Sequence, residues 1–202
     1  MTKPDHASEL VALLRRKRLV RARDVEAAGI PRAYLTRLVR KGEIRRLARG
    51  LYELADAPSD ENASLAEVCK RLPRATICLL SAAQFHDLTT AAPPAVWIML
   101  PSHTPHPRVD FVRLEIVYTD PSLLGPTAVE RHDHFGSSIR ITTAARTVAD
   151  MFRFRNRVGL ELALEVLRSY ANRTQDFSDL LGQAKRLRVD GVLTPYVQAL
   201  ST

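Results

Sequence analysis

Arginine carries most of the chemistry that can be read from this sequence. In the run Pro31-Arg32-Ala33-Tyr34-Leu35-Thr36-Arg37-Leu38-Val39-Arg40-Lys41, residues Leu35, Leu38 and Val39 fall at i, i+3 and i+4. That spacing makes one inward apolar stripe of a helix. Arg32, Thr36 and Arg40 recur every four residues on the opposite face, with Ala33 and Arg37 beside them. A face of this kind suits a DNA major groove: arginine donates two hydrogen bonds to a guanine edge, and threonine bonds a base or meets a thymine methyl. Downstream, Arg45, Arg46 and Arg49 belong to a basic hairpin, with Arg49 at its tip; upstream, Arg21 and Arg23 flank a short helix and can touch phosphates. Phosphate contacts give affinity, and base-edge contacts give sequence choice. The candidate DNA-binding set is therefore Arg21, Arg23, Arg32, Thr36, Arg37, Arg40, Lys41, Arg45, Arg46 and Arg49.

The elements that must position these residues follow from local signals. A helix is expected over Ser8–Lys17 with Ser8 as cap and Leu10, Val11, Leu13 and Leu14 as its stripe. A short second helix spans 22–28, with Val25 and Ala28 inward and Gly29 ending it. Pro31 opens the third helix, and Gly42 stops it. Residues 43–47 and 51–54 then read as strands around an Ala48-Arg49-Gly50 turn. Three helices and a basic hairpin are the order of a winged helix-turn-helix.

Charge distribution points the same way. The 202 residues carry a net charge of +8, and residues 1–57 hold 14 Lys/Arg against 7 Asp/Glu. The rest is nearly neutral, with 16 against 15. This is the footprint of a nucleic-acid-facing module on a neutral body. An apolar share of 46% excludes dominant disorder. The uncharged run Leu88–Ser102 contains Pro93, Pro94 and Pro101 and cannot be a spanning helix. Two cysteines, Cys69 and Cys78, make no disulfide framework. The expectation is a cytoplasmic protein with reduced thiols and no membrane partner.

Residues 55–62 read as a linker, so the expected domains are 1–57 and 58–202. The second part mixes a helix at 64–72, a strand or helix lead-in at 75–80, and a helix at 81–86. Strands follow at 95–100, 111–118 and 138–141. Thr143 caps a helix to Phe154, and late helices run near 159–171, 177–187 and 191–200. The fold class is α+β: a winged helix-turn-helix plus a mixed α/β C-terminal domain with late helices.

The runs Ala27-Ala28-Gly29-Ile30, Leu35, Leu38-Val39-Arg40-Lys41-Gly42 and Leu47-Ala48-Arg49-Gly50-Leu51-Tyr52 carry a resemblance to the AbiEi-type antitoxin family. The resemblance continues in Ser81-Ala82-Ala83, His86-Asp87-Leu88 and Thr143–Asp150. It implies a type IV toxin–antitoxin component that represses its own operon promoter, bound as double-stranded DNA, through the winged helix. It also implies a C-terminal domain that counters a nucleotidyltransferase-like toxin with no stable complex required. The alternative is a stand-alone regulator whose C-terminal domain binds a ligand or protein partner. Ala33 offers few base-reading atoms, which leaves the target sequence open.

Other constellations read as structural. His103, His106, His132, His134 and Asp110 lack a motif that would join them as a zinc site. Ser81 and His86, five apart on one helix, point about 140° apart. Gly136-Ser137-Ser138 resembles a nucleotidyltransferase start, but no carboxylate pair follows. Arg146 and Asp150, four apart, are expected to form an intrahelical pair. Arg153, Arg155 and Arg157, with later basic residues, are read as a solvated helical face rather than a second basic patch. No catalytic residues, metal or cofactor are assigned. A hydrolase or transferase with a DNA-targeting domain, and a scaffold that binds only proteins, are the remaining readings.

Overall fold

The chain enters its first helix through Asp5, whose carboxylate accepts from the Ala7 amide and caps α1 (His6–Lys17). The cap therefore lies one turn before the expected Ser8, and the Ser8 hydroxyl donates to Asp5 instead. The computed structural model describes residues 5–56, 62–134 and 137–200. Contacts divide the chain into two units, one of residues 1–70 with 133–138 and one of 71–132 with 139–202. The expected linker and the 57/58 boundary fall largely outside the described residues, and α4 (Ala63–Arg71) lies with the first unit up to Lys70.

In the first unit, α1 is followed by a two-residue strand β1 (Val20–Arg21), α2 (Ala22–Ala27), α3 (Ala33–Arg40), β2 (Ile44–Ala48) and β3 (Leu51–Leu54). The three strands form an antiparallel sheet in the order β1-β3-β2. Strand β1 was not expected, because two residues carry no periodicity. It is held by pairing Val20 with Tyr52 and Arg21 with Leu51. The core gathers Leu10, Leu14, Val20, Val25, Leu35, Leu38 and Ile44. Each such side chain contributes about 1.5–3 kcal/mol on burial. Two positions expected to face inward lie outward: Ala28 is exposed just past the end of α2, and Val39 is exposed on α3. Leu35 and Leu38 supply the buried α3 stripe, with Tyr34 partly buried against the same core.

The second unit is built on a five-stranded sheet in the order β6-β5-β4-β8-β7. Its strands are β4 (Thr76–Ile77), β5 (Val96–Pro101), β6 (Leu114–Thr119), β7 (Val129–His134) and β8 (Ser137–Thr142). β5 runs parallel to β6 and antiparallel to β4, and β4 runs parallel to β8. Val96–Leu100 are all buried, as expected of a strand covered on both faces. The 75–80 segment is both a strand and a lead-in, since α5 (Leu79–Phe85) starts immediately after Cys78. Strand β7, rich in His and Asp, gave no signal in sequence. The helices α6 (Ala144–Arg153), α7 (Arg155–Val158), α8 (Leu160–Ala171), α9 (Ser178–Leu187) and α10 (Asp190–Leu200) supply most of a core centred on Val148, Phe152, Val166 and Leu180. Thr143 caps α6 as expected, accepting from the Arg146 amide. No described helix is long and apolar enough to cross a membrane.

Candidate nucleic-acid interface

Helix α3 is short but strongly sided. With Leu35 and Leu38 fully buried, the turn of about 100° per residue puts Ala33 and Arg40 on the outermost line. Thr36 flanks that line on one side and Arg37 on the other. Arg32, Thr36, Arg37, Arg40 and Lys41 are all exposed. Arg37 leans over the Tyr34 ring, with its guanidinium carbon 5.9 Å from the centroid. The Tyr34 ring in turn meets His6 edge-on at 5.3 Å. Lys41 lies 3.4 Å from Glu43, a pair exposed enough to contribute little.

The hairpin separates its arginines by register. Arg45 stands opposite Glu53 and Arg46 opposite Tyr52, so the two point to opposite faces of the sheet. Arg45 is ion-paired to Glu53, whose side chain is only 3% exposed, while Arg45 itself is half-exposed. Burying a carboxylate without a partner is costly, so Arg45 offsets that penalty. Arg49 and Gly50 make the turn, and Gly50 takes φ +74°, a conformation that favours glycine. The Gly50 carbonyl accepts from the Ala22 amide at 2.9 Å. This ties the turn to the start of α2 and brings Arg21, Arg23 and Arg49 to one end of the unit. Arg23 and Arg49 are exposed there, and Arg21 is partly covered.

One polar cluster holds the start of α2. The Asp24 carboxylate accepts from the Arg21 amide at 3.0 Å and lies 3.5 Å from the Lys70 ammonium. Burial pushes Asp24 up, but the Arg21 amide and Lys70 outweigh it, and the carboxyl sits below its usual value. Burial likewise pushes Lys70 down, against the pull of Asp24. Lys70 also donates to the Leu19 carbonyl.

The second unit holds the other constellations apart. The Ser81 hydroxyl is buried and accepts from the Trp97 amide at 2.9 Å, whereas His86 Nε2 lies 2.7 Å from the Thr142 carbonyl. Among the described residues no three His, Cys, Asp or Glu side chains converge on a metal-sized site. His132 pairs with Glu130 at 2.8 Å, while His103 and His106 are exposed in the loop before β6. Gly136 of the Gly136-Ser137-Ser138 segment lies outside the described residues. Arg146 and Asp150 do pair within α6, at 2.9 Å, but inside the core at 1% and 0% side-chain exposure rather than on a surface. The Arg153, Arg155 and Arg157 series is partly used within the unit. Arg153 donates to the Thr119 hydroxyl and Arg155 to the Phe152 carbonyl. Arg157 bonds the Ile116 carbonyl and Glu115 and lies 5.0 Å from the Trp97 ring centroid.

Residues 8–55 match the model of a family described as transcriptional regulator, AbiEi antitoxin. That span covers the winged helix from α1 to β3 and is the family that the hairpin motif resembles. No curated protein matches the chain in sequence. Among solved structures, the RV2827C protein from Mycobacterium tuberculosis shares the fold with a TM-score of 0.52 at 17% identity, over 99% of this chain and 82% of that chain. At that identity the likeness is one of fold.

Proposed function

We propose that this chain is a DNA-binding antitoxin that represses its own operon, with α3 in the major groove and the Arg49 turn on the backbone or an adjacent minor groove. The observation that carries this reading is the exposed Arg32, Thr36, Arg37 and Arg40 face of a helix whose other side is fully buried, in a segment matching a transcriptional-regulator family. Arg21, Arg23, Arg46 and Lys41 add phosphate contacts. The second unit counters a nucleotidyltransferase-like toxin by a route that needs no stable complex, and neither unit acts as an enzyme. The protein works in the cytoplasm.

Binding of the full chain to its own upstream DNA, against scrambled DNA at two salt concentrations, tests the first half. A preference for upstream DNA that survives the higher salt is expected, because phosphate contacts fade with salt while base contacts remain. Equal weak binding that vanishes with salt overturns it. Growth rescue on co-expression with a nucleotidyltransferase encoded in the neighbouring gene, where one is found, tests the second half. A stand-alone regulator is favoured by one observation: the family match ends at residue 55, before the second unit. Absence of a neighbouring nucleotidyltransferase gene selects that reading.

A further inference from the structure

Val39 is the one large apolar side chain exposed on α3, where the other exposed residues are Ala33, Thr36, Arg37 and Arg40. It is 37% exposed, and the other large apolar side chains exposed to that degree among the described residues, Tyr118, Leu160 and Leu200, all lie in the second unit. A β-branched residue on a helix surface loses rotamer freedom without gaining full burial, so a polar residue would cost less there. Its neighbours explain what its exposed side meets. At about 100° per residue, Val39 lies about 60° from Thr36 and almost in line with Arg32, two turns earlier. The Val39 isopropyl group and the Thr36 methyl therefore form an apolar step on the flank of the exposed face, with Val39 about 110° from the outermost Ala33–Arg40 line, Arg32 toward one end and Arg40 toward the other. The surrounding arginines select a polyanion as the occupant. On the major-groove edge of duplex DNA the apolar group presented is the C5 methyl of thymine.

We propose that Val39 is a specificity-determining contact that packs on a thymine methyl in the major groove, so that the bound site carries a fixed T·A pair beside the bases contacted by Arg40. This rests on α3 being the groove helix. The test starts from a duplex selected by the full chain from a random-sequence library. Each thymine of that duplex is then replaced in turn by deoxyuridine, which lacks only the methyl. The wild type should lose about fourfold in affinity at one position, the worth of one buried methyl. Val39→Ala should bind the thymine duplex about fourfold more weakly and lose nothing further with deoxyuridine at that position. Alanine is the better helix former, so the variant should keep its fold, and unchanged binding to non-specific DNA at low salt checks this. A wild type that selects a duplex yet ignores every deoxyuridine overturns this inference alone. A deoxyuridine penalty retained in full by Val39→Ala does the same. Failure to select any duplex overturns the DNA-binding reading, and this inference with it.

Discussion

Arginines of the N-terminal segment differ in what surrounds them more than in charge. Arg40 stands on the outermost line of α3, Arg49 at an exposed turn, and Arg45 against a buried carboxylate. Arg40→Ala should cost about 1–3 kcal/mol on the preferred site and relax the choice of base there. Arg49→Ala should weaken all sequences alike and reduce the salt slope by about 0.9. Titrations of both variants at several salt concentrations separate the two effects; equal losses on preferred and scrambled DNA for Arg40→Ala would move it to the phosphate class. Arg45→Ala should instead destabilise the unit by about 1–3 kcal/mol, since it leaves Glu53 buried without its charged partner. Urea unfolding reads that loss. The arginines and their spacing were legible in the sequence. The Glu53 partner of Arg45 was not, because it depends on a hairpin register that only pairing fixes. Asp24 adds a pH dependence. Its folded value lies below the usual 3.8, so its stabilisation is present above 3.8 and is lost as pH falls through the folded value. Asp24→Asn should therefore melt earlier than the wild type at pH 7, with the gap closing on acidification, and equal gaps at both ends would assign the effect to packing.

Elements with long periodic faces were readable, and elements held mainly by partners were not. Helix α6 starts at the Thr143 cap that the sequence predicts and ends at Arg153, one residue before the expected Phe154. Strand β1 has two residues and exists because β3 offers an edge to pair with. The Arg146–Asp150 pair was visible as spacing, but i,i+4 spacing does not distinguish a surface pair from a buried one. In the structure it belongs to the core, where Arg146 also donates to the Leu123 carbonyl and ties α6 to the segment before β7. Removing one partner of a buried pair leaves an uncompensated charge, so Asp150→Ala should cost about 3–5 kcal/mol. Replacing both partners with apolar residues of similar volume should recover most of that loss. Denaturant midpoints of the single and double variants check this; an Asp150→Ala loss below about 1 kcal/mol would place the pair in a solvated setting.

Taken as a whole, the molecule keeps its chemistry in two separable accounts, and charge was the property that showed this first. Residues 1–57 hold a net +7 of the chain's +8, and the family match covers residues 8–55. The second unit announces no function, because a packed α/β core is built from residues that many folds share. That asymmetry gives the last prediction. Arg37, Arg40 and Arg49 are exposed, so replacing all three by alanine should change stability little, with surface substitutions usually within about 0.5 kcal/mol each. The same change removes three cations from the proposed interface and should abolish selective DNA binding at physiological salt. Under the proposed antitoxin function, a second unit that acts independently of DNA binding predicts that this triple variant loses repression but still rescues growth against a co-expressed nucleotidyltransferase. If rescue disappears together with DNA binding, the antitoxin effect runs through repression alone, and the second unit must be assigned a different role.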